Sequence, residues 1–224
     1  MLFRSRREFD RLRNVREFDR IRERAVDLVT SEKMRAAFDI RQEDASLRDR
    51  YGRHLFGQSV LMGRRMIEAG ARFVTVLWDC PDGYSWDSHQ HSDDVEKHLL
   101  PGADQAVSAL LEDLAQRGLL DETLVVCLGE MGRTPKPDTA KWGRGHWSYC
   151  FPALLAGGGI RGGALYGKSD KDAAYPLEHP VSPETLAATI FHALGIPTDT
   201  RIHDAFGRPV PVMENAQPLR ELFA

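Results

Sequence analysis

Three short apolar runs set the limits on this fold: residues 72–78, 124–128 and 151–156. Each is short, rich in bulky or β-branched residues and bounded by polar segments, so each reads as a buried strand. Between the first two lies 95–117, where Leu99, Leu100, Ala106, Leu110, Leu111 and Leu114 share one side of a helix and Gly118 ends it. Strand, helix and strand over this length make a βαβ crossover and therefore a parallel pair. The expected fold is α/β, a mostly parallel sheet flanked by helices.

The polar segments beside these runs carry the chemistry. Trp86-Asp87-Ser88-His89-Gln90-His91 follows the first run. Gly129-Glu130-Met131-Gly132-Arg133-Thr134-Pro135 follows the second, and Gly143-Arg144-Gly145-His146-Trp147 precedes the third. Loops at strand ends are where open α/β sheets place their sites. Carboxylate oxygen and imidazole nitrogen are the natural donors to a divalent ion. Asp87, His89, His91, Glu130 and His146 are therefore the candidate metal ligands. Asp87 pairs with His89 at D-x-H spacing and with His91 at D-x3-H, and the residues alone leave both open. Arg133 and Arg144 are candidates for holding an anionic ester, because a guanidinium matches phosphate or sulfate oxygens two at a time.

The remaining chain supplies scaffold. In residues 1–43 charge dominates, with Arg-Glu-Phe-Asp-Arg at 7–11 repeated at 16–20. Phe9, Leu12, Val15, Phe18, Ile21 and Val26 leave a thin apolar stripe, which predicts a charged helical segment suited to lying on the domain or on another copy. Ser31 can start a short helix through Phe38. Residues 44–69 have helical spacing with a break near Gly57, and Gly70 follows as a stop. His54 reads as structural and His192 as structural or surface. Residues 157–163 are glycine-rich but lack phosphate-loop spacing, so they read as a hairpin turn with 164–166 as the return strand. Ser182-Pro183-Glu184 is a helix start. We divide the chain into 1–43 and an α/β domain over 44–224.

The totals exclude several classes. A formal net charge of -3 gives no ground for nucleic-acid affinity. No apolar stretch is long enough to span a bilayer. Three cysteines without CxxC spacing argue against a disulfide framework or a cysteine zinc site, and Cys127 and Cys150 read as buried thiols. The first residues lack an export signal, which points to the cytoplasm.

The three polar segments, with Tyr51-Gly52-Arg53-His54-Leu55-Phe56-Gly57-Gln58-Ser59, resemble the domain-of-unknown-function 1501 family. The likeness runs over residues 29–224. That family in turn resembles the alkaline phosphatase and sulfatase superfamily, which implies a metal-dependent hydrolase of phosphate or sulfate esters. Zinc is the first expectation, with manganese, calcium or magnesium as alternatives. Glu130, Arg133 and His146 would act in catalysis, with Arg133 and Arg144 on the substrate. The resemblance also implies export for longer members. This chain departs from the pattern at Met131, a poor ligand, and at Gly145, where an Asp is usual. It also offers only helical material where a nucleophile would precede residues 72–78, so it resembles a C-terminal portion, truncated on the N-terminal side. The alternative is a non-catalytic fold that binds an anion or another chain, or one half of a split enzyme.

Overall fold

Ser31 accepts a hydrogen bond from the Met34 amide and so opens α1, Glu32–Phe38. The structure, a computed structural model, describes residues 19–20, 22–23, 26, 30–78 and 84–224. The apolar stripe expected before residue 30 lies largely outside the described residues, as does the turn at 81–83. The described residues fall into two units, Met1–Trp78 and Asp79–Ala224.

In the first unit, α1 is followed by α2, Ala45–Arg50, and α3, Leu55–Glu68. The helical pattern is interrupted at residues 51–54, just before Gly57, which itself lies in the first turn of α3. His54 caps α3 by accepting from the Gly57 amide at 3.2 Å. A Cβ at Gly57 would lie 2.0 Å from the Tyr51 carbonyl oxygen, so the first turn of α3 sits directly on the preceding backbone. Gln58 Nε2 ties the two helices by donating to the Arg48 and Gly52 carbonyls at 2.9 and 2.7 Å. The core of this unit is Met34, Ala37, Tyr51, Val60 and Leu61. Arg64 is buried beside them and pairs with Glu43 and Glu68. Arg65 donates to the Ala36 and Ala37 carbonyls at the end of α1. A Gly57→Ala chain is expected to lose about 1–3 kcal/mol, the usual cost of forcing atoms into a filled site. Chemical denaturation read by circular dichroism measures it.

Residues 72–78 do not form the expected central strand. They are extended but belong to no sheet among the described residues. Val74 and Val76 face Gly63 of α3, and Trp78 stacks on Phe56 at 4.3 Å. The alternate residues Phe73 and Leu77 are 66% and 86% exposed.

The second unit overturns the parallel sheet. Among the described residues its strands are two to four residues long and form four antiparallel pairs. Val125–Leu128 (β1) pairs with Ala153–Ala156 (β4), with Val125 opposite Ala156 and Leu128 opposite Ala153. Between them Gly132–Arg133 (β2) pairs with His146–Trp147 (β3). Lys168–Ser169 (β5) pairs with Pro176–Glu178 (β6), and Arg201–His203 (β7) with Pro209–Pro211 (β8). The apolar runs at 124–128 and 151–156 do mark strands. Apolarity says nothing of direction, however, and the chain from β1 returns through the β2–β3 ribbon to meet β4 head to tail. The crossover inferred from the intervening helix is not seen, because residues 72–78 join no sheet among the described residues.

That helix is also modified. Val95–Leu99 is a π-helical turn, and the α-helix proper, α4, is Leu100–Gln116. Pro101 lacks the N–H that would continue an α-helical ladder through this turn, and the wider turn precedes it. Gly118, at φ 69°, lets the chain turn away. Gly157 and Gly158 pack against residues 120–124 and Gly159 against Phe223, and they do not make the expected hairpin. A Cβ at Gly157 would lie 2.4 Å from both the Leu120 and Thr123 carbonyl oxygens. The return strand at 164–166 does not form. Neither cysteine is the buried thiol expected: Cys127, on the two-stranded β1–β4 ribbon, is exposed, and Cys150, just before β4, is half-buried. The last helix, α5, Pro183–Ala193, has the expected Ser182 cap. Its buried Thr189 accepts from the Leu219 amide at 3.0 Å and fixes the tail. No described helix is long and apolar enough to cross a membrane.

Candidate metal centre

Two backbone segments of the second unit are stitched together to make the site. The Arg144 amide donates to the Ser88 carbonyl at 3.0 Å. The His91 and Ser92 amides donate to the Lys141 and Trp142 carbonyls at 3.1 and 2.8 Å. Ser92 Oγ closes the first loop on itself through the Ser88 carbonyl and hydroxyl. The approach is close enough that only glycine fits at 143, where a Cβ would lie 1.9 Å from the His89 carbonyl oxygen. His91 and Trp142 both take left-handed backbone conformations at this seam, φ 54° and 51°. Such conformations are costly for residues other than glycine and persist where surrounding bonds impose them.

The β2–β3 ribbon brings in the other half. Its register sets Arg133 directly opposite His146, and directly opposed residues share a face. Both side chains reach the same oxygen. Arg133 Nη2 donates to Asp87 Oδ1 at 2.6 Å, and His146 Nε2 lies 2.8 Å from it. His89 Nε2 lies 3.1 Å from Asp87 Oδ1 and 3.1 Å from His146 Nε2. Asp87, His89 and His146 thus offer three donor atoms to one point. Hydrogen bonds from His146 and then Arg133 pull the Asp87 carboxyl down to about 2, so it is an anion throughout the neutral and mildly acidic range.

Of the residues singled out in the sequence, Asp87, His89, His146 and Arg133 converge. His91 does not join the triad; it lines an adjoining cavity of about 290 Å³ with Tyr84, Asp87, His89 and Asp94. Glu130 is exposed and outside the triad. Arg144 directs its guanidinium to the Thr134 and Pro135 carbonyls, bracing the loop that leads to His146. Sequence reasoning missed Gly143, Ser88 and Ser92, which set the loops rather than touch the donors. The Gly-Arg-Gly pattern before His146 was the available signal for the close approach.

One carboxylate oxygen and two imidazole nitrogens suit a divalent transition ion. The side chains of Asp87, His89 and His146 are 56%, 51% and 50% exposed, so the cluster is open to solvent. No curated protein and no solved structure matches this chain significantly. One family match covers residues 2–223, and neither the likeness to alkaline phosphatases and sulfatases nor the assignment to a C-terminal portion finds support in it. The chain belongs to that family, whose description is protein of unknown function (DUF1501).

Proposed function

We propose that this protein is a metal-dependent hydrolase of phosphate or sulfate esters. The observation that carries the reading is the convergence of Asp87 Oδ1, His89 Nε2 and His146 Nε2, with the Arg133 guanidinium on the same carboxylate. Asp87, His89 and His146 would hold one divalent cation; zinc or manganese suits this mixed donor set better than calcium or magnesium. Such an ion, when bound, polarises the ester and makes water a better nucleophile. Arg133 holds the carboxylate in place and presents positive charge to an anionic group beside it. The 290 Å³ cavity next to the triad is at the small end of ligand pockets, which favours a compact ester.

The test is turnover of aryl phosphates and aryl sulfates by metal-loaded protein. Arg133→Gln is expected to lower kcat/KM by about 10–100-fold, the scale of a lost charge-assisted hydrogen bond. Absence of turnover with either ester class, in protein shown to carry metal, would sink the hydrolase reading.

A second reading, association with another copy of the chain, is favoured by residues 72–78. This extended segment leaves Phe73 and Leu77 exposed and belongs to no sheet among the described residues. Its order is self-complementary about Thr75, so two antiparallel copies would set Phe73 opposite Leu77 and Val74 opposite Val76. Light scattering should then give a dimer mass that falls to the monomer in Leu77→Glu; a monomeric wild type would rule this out.

A further inference from the structure

We infer that Asp87, His89 and His146 are arranged as one triangular face of a six-coordinate donor set, so that the site holds an octahedral divalent ion and leaves three adjacent positions for solvent and substrate. The inference rests on the metal reading above and adds the coordination it imposes. The three donor atoms are 2.8, 3.1 and 3.1 Å apart. Donors about 2.0–2.1 Å from an ion at right angles to one another are about 2.8–3.0 Å apart, the spacing of an octahedral face. Donors at the same distance on a tetrahedron are about 3.3–3.4 Å apart. Entry of a six-coordinate ion therefore requires the loss of the protons between these atoms and almost no movement. A tetrahedral ion requires the 2.8 Å edge to widen by about 0.5 Å and the two 3.1 Å edges by about 0.2–0.3 Å.

The surroundings resist that widening. His146 is fixed opposite Arg133 in the β2–β3 ribbon, and Arg133 Nη2 also grips the Trp86 carbonyl at 3.0 Å. The backbone of His89 is wedged against Gly143. Among the described residues no further histidine, cysteine or carboxylate joins the triad, so the remaining coordination positions, one in a tetrahedron or three in an octahedron, fall to solvent and substrate. Three open neighbouring positions accept two oxygens of one phosphate or sulfate group at once, which a single open tetrahedral position does not. Relative affinity cannot decide the matter, because zinc outcompetes manganese at most nitrogen and oxygen sites whatever their geometry.

Cobalt(II) reports the geometry directly. The experiment is titration of Co²⁺ into metal-free protein, followed by visible absorption and by metal analysis after dialysis, with His146→Ala alongside. The expected result is uptake in the wild type, with absorption as weak as that of the aqueous ion, and loss of uptake in the variant. Uptake with bands an order of magnitude more intense, the mark of four- or five-coordinate cobalt, would overturn this inference and leave the metal reading standing. No uptake by folded wild-type protein would overturn both.

Discussion

Asp87→Ala is expected to remove divalent-metal binding while leaving the protein folded. Asp87 Oδ1 is the common partner of His146, His89 and Arg133. Without it, the guanidinium of Arg133 would face two imidazoles with no anion between them, and a cation entering there would meet positive charge. Loss of an outer-shell partner already weakens metal sites by about 10–100-fold, and loss of a direct ligand should exceed about 100-fold. The carboxylate is more than half exposed, so its contribution to the fold is screened by solvent. Isothermal titration with Mn²⁺ or Zn²⁺ measures the first effect and differential scanning calorimetry the second. Wild-type affinity in the variant would place the metal elsewhere or nowhere.

Gly143→Ala should damage the same site from a distance. The added methyl would lie 1.9 Å from the His89 oxygen, 2.2 Å from its carbonyl carbon and 2.6 Å from the Gln90 nitrogen. All three are backbone atoms, and none can swing aside as a side chain would. Relief requires separating the two loops, which breaks the Arg144-to-Ser88 and Ser92-to-Trp142 hydrogen bonds. The expected cost is about 1–3 kcal/mol of stability. Metal affinity should fall by about 10–100-fold, because His89 is no longer aimed at Asp87. Gly145→Ala is the matched control. Its methyl meets only Thr134 Cγ2, at 3.4 Å, and should leave both quantities near wild type. Thermal melts and metal titrations of the pair separate a specific steric clash from a general loss of glycine flexibility.

Much of the local structure is legible in the sequence, and the reasons are local. Ser182 and Pro183 announce a helix because the hydroxyl caps a free amide and proline needs no partner at the first turn. The runs at 124–128 and 151–156 announce strands because bulky apolar residues fit a pleated surface. What was not legible is pairing. Nothing in 124–128 states whether its neighbour runs parallel or antiparallel, and the helix before it suggested a crossover that the chain does not make. The apolar spacing over 95–117 fits a regular α-helix and does not distinguish the π-helical turn Val95–Leu99. The site shows the same division. Donor types could be read directly, but only two of the three segments supply them: Asp87 and His89 come from the first and His146 from the third, while the second brings Arg133 and leaves Glu130 outside. The choice of His89 over His91 could not, because it follows from the seam with residues 141–144. Nor could the contrast between Arg133, which faces Asp87, and Arg144, which braces a loop; the β2–β3 register decides it.

The central claim is that one divalent ion sits among Asp87, His89 and His146. Anomalous diffraction from a crystal soaked in Mn²⁺ tests it most directly. The account predicts a single strong peak on the open side of the triad, within about 2.0–2.3 Å of Asp87 Oδ1, His89 Nε2 and His146 Nε2. A map with no peak there, or with its peak at a site that excludes these three side chains, would contradict it.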